Sequence, residues 1–217
     1  MTRIYYTFIQ ENSHSLLLKR FSMDFPENYQ NKIKNFRRWQ DAQLSLLGLY
    51  LLRYSLKQFE KKLDISELNF NSNSKPYLNG ENLEFNISHS GDIVVCAISD
   101  QFEIGIDIEI LKDIDVGDFK GQMTDNELKK VIYANDVTAS FFDFWTQKEA
   151  VLKAQGSGII EFLQSFEIIG KRTTLNHSHF FIKEIPLDDR YKCHIAFKDK
   201  MDARISGPKF INSLKLI

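Results

Sequence analysis

Ile104-Gly105-Ile106-Asp107-Ile108-Glu109 alternates a branched apolar residue with a small or acidic one, which is the two-residue period of a strand buried on one face. Ile104, Ile106 and Ile108 point into a core. Gly105, Asp107 and Glu109 share the opposite face, where the missing side chain of Gly105 leaves room for something to approach. The two acids stand about 6 to 7 Å apart along the backbone, near enough for both side chains to converge on one hard cation. An edge strand with two solvated acids is the other reading of these six residues. The choice between them turns on the rest of the chain.

Working outward, strands are expected at 83–87, 92–99 and 102–109, with an earlier one at 3–10 and an irregular connection over 11–27 that closes at Pro26. From Asn28 to Lys62 the residues Ile33, Phe36, Leu44, Leu47, Leu51, Leu52, Leu56 and Phe59 keep a helical spacing, as two helices or one bent one, with Gly48 marking close packing or a ligand. On the far side, Thr124 with Glu127 makes a capping box for a short helix. A longer helix runs from Val137 to Gln155 and ends on Gly156 as a left-handed cap. Strands follow at 163–169, 179–185, 190–198 and 203–206. Each half thus reads strand, helices, strands, so the fold class is α+β, with two similar subdomains as the weaker inference.

The composition, 217 residues with 43% hydrophobic and 26% charged, fits one large globular domain or two small ones. Cys96 and Cys193 lie within apolar strand-like runs and read as buried free thiols of a reducing compartment, so a cytoplasmic protein is expected. The first residues carry no apolar signal region, and no run approaches the length of a membrane span. A net charge of −1 argues against a surface built for nucleic acid. Lys32, Lys34, Arg37 and Arg38 nevertheless form a local basic cluster, either a solvated helix face or a place for a phosphorylated small molecule.

Two further stretches carry possible chemistry. In Trp145-Thr-Gln-Lys-Glu-Ala-Val-Leu-Lys153, Lys148, Glu149 and Lys153 fall on neighbouring helical positions beside Phe141, Phe142, Phe144 and Trp145. A plain helical salt bridge between Glu149 and Lys153 explains this, as does an acid and a base held against a core for a site. Phe85-Asn-Ile-Ser-His-Ser-Gly91 ends a strand in a polar turn where Ser88, His89, Ser90 and the backbone near Gly91 form a nest for a phosphate. Adjacent Ser and His on a strand point apart, so no hydrolase dyad is read here. His177 and His179 lack partners at zinc-ligand spacing and read as surface residues.

In order and spacing, residues 85–91, 105–109 and 145–153 resemble the signature motifs of the 4'-phosphopantetheinyl transferase superfamily, in its surfactin-synthetase-activating (Sfp-like) branch. The likeness extends to Lys75-Pro-Tyr-Leu78 and Asp41–Gly48, and so covers most of 28–160. It implies a pseudo-dimer of two α+β subdomains, with halves at 1–103 and 104–217, acting as a monomer with coenzyme A and Mg²⁺ in the cleft between them. By this resemblance Asp107, Glu109 and Glu149 hold the magnesium, and Lys153 neutralises pyrophosphate charge. Ser88 and His89 contact coenzyme A phosphates, Lys75 with Pro76 lines the adenine pocket, and Lys32 and Ser45 reach the 3'-phosphate. The implied reaction moves phosphopantetheine from coenzyme A to a serine of an apo acyl or peptidyl carrier protein and releases 3',5'-ADP. The serine proton goes either to Glu149, directly or through a water, or to a metal-bound water, since a glutamate that ligates magnesium is a poor base unless one oxygen stays free.

The sequence departs from many relatives at Ala150, where a serine is common after the Lys-Glu pair, and at Tyr29, where a second lysine is common. A magnesium-dependent phosphodiesterase and a non-catalytic carrier-binding protein are the competing readings of the same residues. Retention of three acids with Lys153, and the want of a further acid cluster for a second metal, weigh against both.

Overall fold

The computed structural model describes residues 1–61, 68–70, 76–78, 83–156 and 163–217. In chain order the elements are β1 (Thr2–Phe8), α1 (His14–Asp24), α2 (Glu27–Lys34), α3 (Trp39–Lys57), β2 (Leu68–Phe70), β3 (Pro76–Leu78), β4 (Glu84–Ser90), β5 (Ile93–Ser99), β6 (Ile104–Ile110), α4 (Asp125–Ile132), α5 (Val137–Gln155), β7 (Arg172–Leu175), β8 (Ser178–Glu184), β9 (Tyr191–Lys198) and β10 (Ile205–Phe210). One sheet has the order β10-β1-β5-β4, the other β6-β9-β8-β7, and β2 pairs with β3 in a small ribbon.

Within each half the first strand pairs antiparallel with the last, and the last with the one before it: β1-β5-β4 in the first, β6-β9-β8 in the second. Helices fall between the first strand and the rest in both, so the two-half α+β pattern is realised as a structural repeat. β10 departs from it. It crosses back to pair parallel with β1, and Ile211 and Leu216 beyond it join the first half's core.

The layers follow from strand periodicity. β5 is buried on both faces: Val94, Cys96 and Ile98 meet Leu44, Leu47 and Leu51 of α3, while Ile93, Val95 and Ala97 meet the facing sheet. Ile104, Ile106 and Ile108 are fully buried there with Ile195 and Phe197 of β9. Each such isoleucine contributes about 1.5–3 kcal/mol on burial. On the outer face of the second sheet α5 packs Ala150, Val151 and Ala154 against Phe180, Ile182 and Ala196. The order is helix, sheet, sheet, helix.

Two expectations change. The connection at 11–27 contains α1, because Leu17, Phe21 and Phe25 recur every four residues and bury against α3, Phe21 and Phe25 stacking beside Tyr50. The stretch 163–169 is no strand but a short 3₁₀ turn at Leu163–Ser165 followed by chain in no regular element. Its backbone is satisfied by side chains: the carbonyls of Leu163 and Phe166 accept from Lys148 Nζ at 2.7 and 2.6 Å, and Ile168 N–H donates to Glu127 Oε1 at 2.8 Å.

Candidate functional site

The seat of α5 on β6 builds the site. Asp136 caps the helix by accepting from Ala139 N–H at 2.8 Å, and Gly156 ends it at φ 73°. Between these ends the helix backbone lies directly on Gly105, where a Cβ would stand 2.2 Å from the carbonyl oxygen of Ala150 and 2.3 Å from the nitrogen of Ala154. What approaches Gly105 is therefore the helix itself. That contact carries Glu149 and Lys153 over the strand face that bears Asp107 and Glu109.

Lys153 Nζ donates to Asp107 Oδ1 at 2.6 Å and to Ser88 Oγ at 2.9 Å. Ser88 Oγ donates to Asp107 Oδ1 at 3.0 Å, and Ser90 Oγ to Glu109 Oε2 at 2.6 Å. Asp107 is 4% exposed, and its second oxygen, Oδ2, is buried without a hydrogen-bond partner. Burial raises the Glu149 carboxyl above its ordinary range, the Asp107 charge raises it further, and Lys153 offsets part of this. Glu109 is likewise raised, first by burial, against the lowering bond from Ser90. Lys153 thus bonds Asp107, and its charge also acts on Glu109 and Glu149 at the seam of the halves.

Of the expected phosphate nest, the hydroxyls of Ser88 and Ser90 are committed elsewhere. A hydroxyl has one hydrogen to donate, and both hydrogens go to carboxylates. His89 faces the other side of β4, toward a cavity of about 280 Å³ lined by Tyr29, Lys32, Ser45, Gly48 and Pro76 with it. Its imidazole is held below the ordinary value by burial, then by the charge of Lys153. Lys32, Ser45, Pro76 and His89 are brought together; Lys75 lies outside the described residues. Lys34, Arg37 and Arg38 point to solvent as an exposed basic face.

Lys148 does not belong to the cleft. It is fully buried, bonded to Glu127 Oε2 at 2.9 Å and to the two carbonyls of 163–166, so three acceptors take its three hydrogens. The residue overlooked in the sequence is His194, buried in β9 within an apolar run. Thr146 Oγ1 donates to the Phe142 carbonyl at 2.7 Å, so His194 Nδ1, 2.8 Å away, is the donor to Thr146. Its Nε2 faces Asp143 and Glu184, and these three are the trio among the described residues whose candidate ligand atoms all lie within 4.8 Å; Asp107, Glu109 and Glu149 stand farther apart. Lys171 Nζ, 3.3 Å from Glu184 Oε2 and 3.4 Å from His194 Nε2, and Lys192 Nζ, 2.9 Å from Glu184 Oε1, already balance that trio's charge.

The fold and cleft define a two-half α+β protein whose halves meet around one buried and two half-buried carboxylates, a lysine and an adjoining cavity with a basic rim. Residues 13–101 match the family model for the N-terminal part of 4'-phosphopantetheinyl transferases, and residues 103–205 match the 4'-phosphopantetheinyl transferase superfamily. The 4'-phosphopantetheinyl transferase Sfp of Bacillus subtilis is 30% identical over 82% of this chain and 84% of its own length. The transferase gsp of Aneurinibacillus migulanus is 38% identical over 62% of this chain and 57% of its own. The solved holo-[acyl-carrier-protein] synthase of Thermotoga maritima is similar over 46% of this chain and 64% of that one, with a TM-score of 0.36 at 14% identity. The chain belongs to the 4'-phosphopantetheinyl transferase superfamily, in its Sfp-like branch, and is an enzyme of that kind. No helix among the described residues is long and apolar enough to cross a membrane.

Proposed function

We propose that this enzyme transfers the 4'-phosphopantetheine arm of coenzyme A to a serine hydroxyl of an apo acyl or peptidyl carrier protein, releasing 3',5'-ADP, as a cytoplasmic monomer. The observation that carries the reading is that α5 sets Glu149 and Lys153 over the β6 face bearing Asp107 and Glu109, next to the cavity lined by Lys32, Ser45 and His89. The donor set fits Mg²⁺: all ligand atoms are carboxylate oxygens, Asp107 Oδ2 is buried and unpartnered, and burial together with the Asp107 charge leaves Glu109 and Glu149 short of compensation. Asp107, Glu109 and Glu149 would hold the ion, which when bound supplies positive charge against the pyrophosphate.

The chain's own residues supply the rest. Lys32, Ser45, Pro76 and His89 hold the nucleotide end of coenzyme A in the cavity, and Lys75 contacts it as the family resemblance implies. Lys153, partly exposed on α5, turns its ammonium to the pyrophosphate, where negative charge grows as the bond between the pantetheine phosphorus and the bridging oxygen breaks. Glu149, its carboxyl raised by burial, accepts the serine proton as that oxygen attacks. Incubation with coenzyme A, Mg²⁺ and an apo carrier should add the mass of phosphopantetheine to the carrier and release 3',5'-ADP. Coenzyme A hydrolysis with an unmodified carrier, or no turnover, would refute the reading.

A further inference from the structure

β6 is an outer strand of its sheet, paired with β9 on one side only, so every second amide on its other side needs an acceptor. No strand among the described residues supplies one. Three side chains of β4, at every second position, do so: Asn86 Oδ1 accepts from Ile106 N–H at 2.9 Å, Ser88 Oγ from Ile108 N–H at 3.4 Å, and Ser90 Oγ from Ile110 N–H at 3.1 Å. The halves are joined here by a ladder of side chains to backbone, in step with the strand period. Each serine then passes its single hydrogen to the acid one residue earlier in β6, Ser88 to Asp107 and Ser90 to Glu109.

Ser90 therefore has both of its bonds fixed, one accepted from the strand and one given to the carboxylate. Glu109 has three side-chain torsions to order, and a hydroxyl anchored to the amide of the next residue, Ile110, holds one oxygen in place. Lys153 also bonds Ser88, so that hydroxyl serves Asp107 and the lysine together. Ser90 serves Glu109 alone.

Resting on the function proposed above, we propose that Ser90 is a positioning residue: it orients Glu109 for the metal and is itself neither a phosphate contact nor a ligand. Mn²⁺ is the probe, its binding to the coenzyme-free enzyme followed by the electron paramagnetic resonance of the free ion, with kcat and KM for coenzyme A measured beside it. Loss of such an outer partner lowers metal affinity roughly 10–100-fold, so Ser90→Ala should weaken Mn²⁺ binding by about that factor, lower kcat, and leave KM for coenzyme A within about twofold of wild type. Ser90→Thr, which keeps the hydroxyl, should restore Mn²⁺ binding. Wild-type Mn²⁺ affinity in folded Ser90→Ala, or Ser90→Thr as weak as Ser90→Ala, overturns the proposal. If Ser90→Ala does not fold, Ser90→Cys, close in shape with a weak donor, takes its place with the same two readings. A wild type that binds Mn²⁺ but transfers nothing refutes the function while the Mn²⁺ comparison still decides the role of Ser90.

Discussion

Replacing Gly105 by alanine tests whether the seat of α5 makes the site. The new Cβ would lie 2.2 Å from the Ala150 oxygen, 2.3 Å from the Ala154 nitrogen and 2.7 Å from the Lys153 carbonyl carbon. All three are backbone atoms, so no side-chain rotation relieves the clash. Ordinary contact begins near 3.4 Å, which leaves a shortfall of about 1.2 Å for the helix to make up by lifting off the strand. Overpacking of this kind costs about 1–3 kcal/mol, or a fall in melting temperature of roughly 2 to 12 °C for a chain of this length. The effect on activity should be the larger one. A lift of that size takes Lys153 Nζ, now 2.6 Å from Asp107 Oδ1, out of hydrogen-bond reach and carries Glu149 away with it. Misplacement by about 1 Å costs on the order of 10²-fold in rate. Thermal unfolding and single-turnover transfer to a carrier protein measure the two effects, with Gly121→Ala as control, since nothing lies within 4 Å of a Cβ there. A Gly105→Ala enzyme with wild-type melting temperature and wild-type kcat would refute the reasoning.

Lys148→Met should destabilise by about 3–5 kcal/mol in chemical denaturation, because it strands the buried Glu127 carboxylate and two carbonyls; the double change with Glu127→Leu should recover part of the loss. Asp107→Ala should abolish transfer in a protein that still melts cooperatively, since its side chain faces the cleft and not the core between the sheets; retained turnover would remove it from the site. His194 is pushed down to about 3 by burial and then by Lys171 and Lys192, against the opposing charge of Glu184. The unfolded chain then takes up the proton first, so this histidine lowers stability by up to about 1.4 kcal/mol per pH unit as pH falls from near 6.5 toward 3. Urea titrations at pH 7 and pH 5 should therefore show a smaller acid loss for His194→Gln than for wild type.

Much of this protein was legible from local patterns. The opening hexapeptide carries its own facing, because alternation settles which side of a strand each residue takes, and its three isoleucines are buried between the sheets. The capping box at Thr124 and the glycine cap at 156 were readable because helix ends are satisfied by residues a few positions away. α1 escaped notice because its apolar stripe is narrow and set among polar residues, and the 163–169 stretch was misread because its backbone partners, Lys148 and Glu127, are distant in sequence.

The acids and the lysine of the cleft could be picked out by residue type and spacing, yet how they pair could not. Lys148 and Glu149 are adjacent in the chain, but successive helix positions are turned about 100° apart, and that rotation sends one into the interior against Glu127 and the other into the cleft. Which lysine meets Asp107, where the hydrogens of Ser88 and Ser90 go, and that β10 returns to the first sheet are matters of long-range packing. Those contacts join residues many positions apart, and only the folded chain brings them within bonding distance.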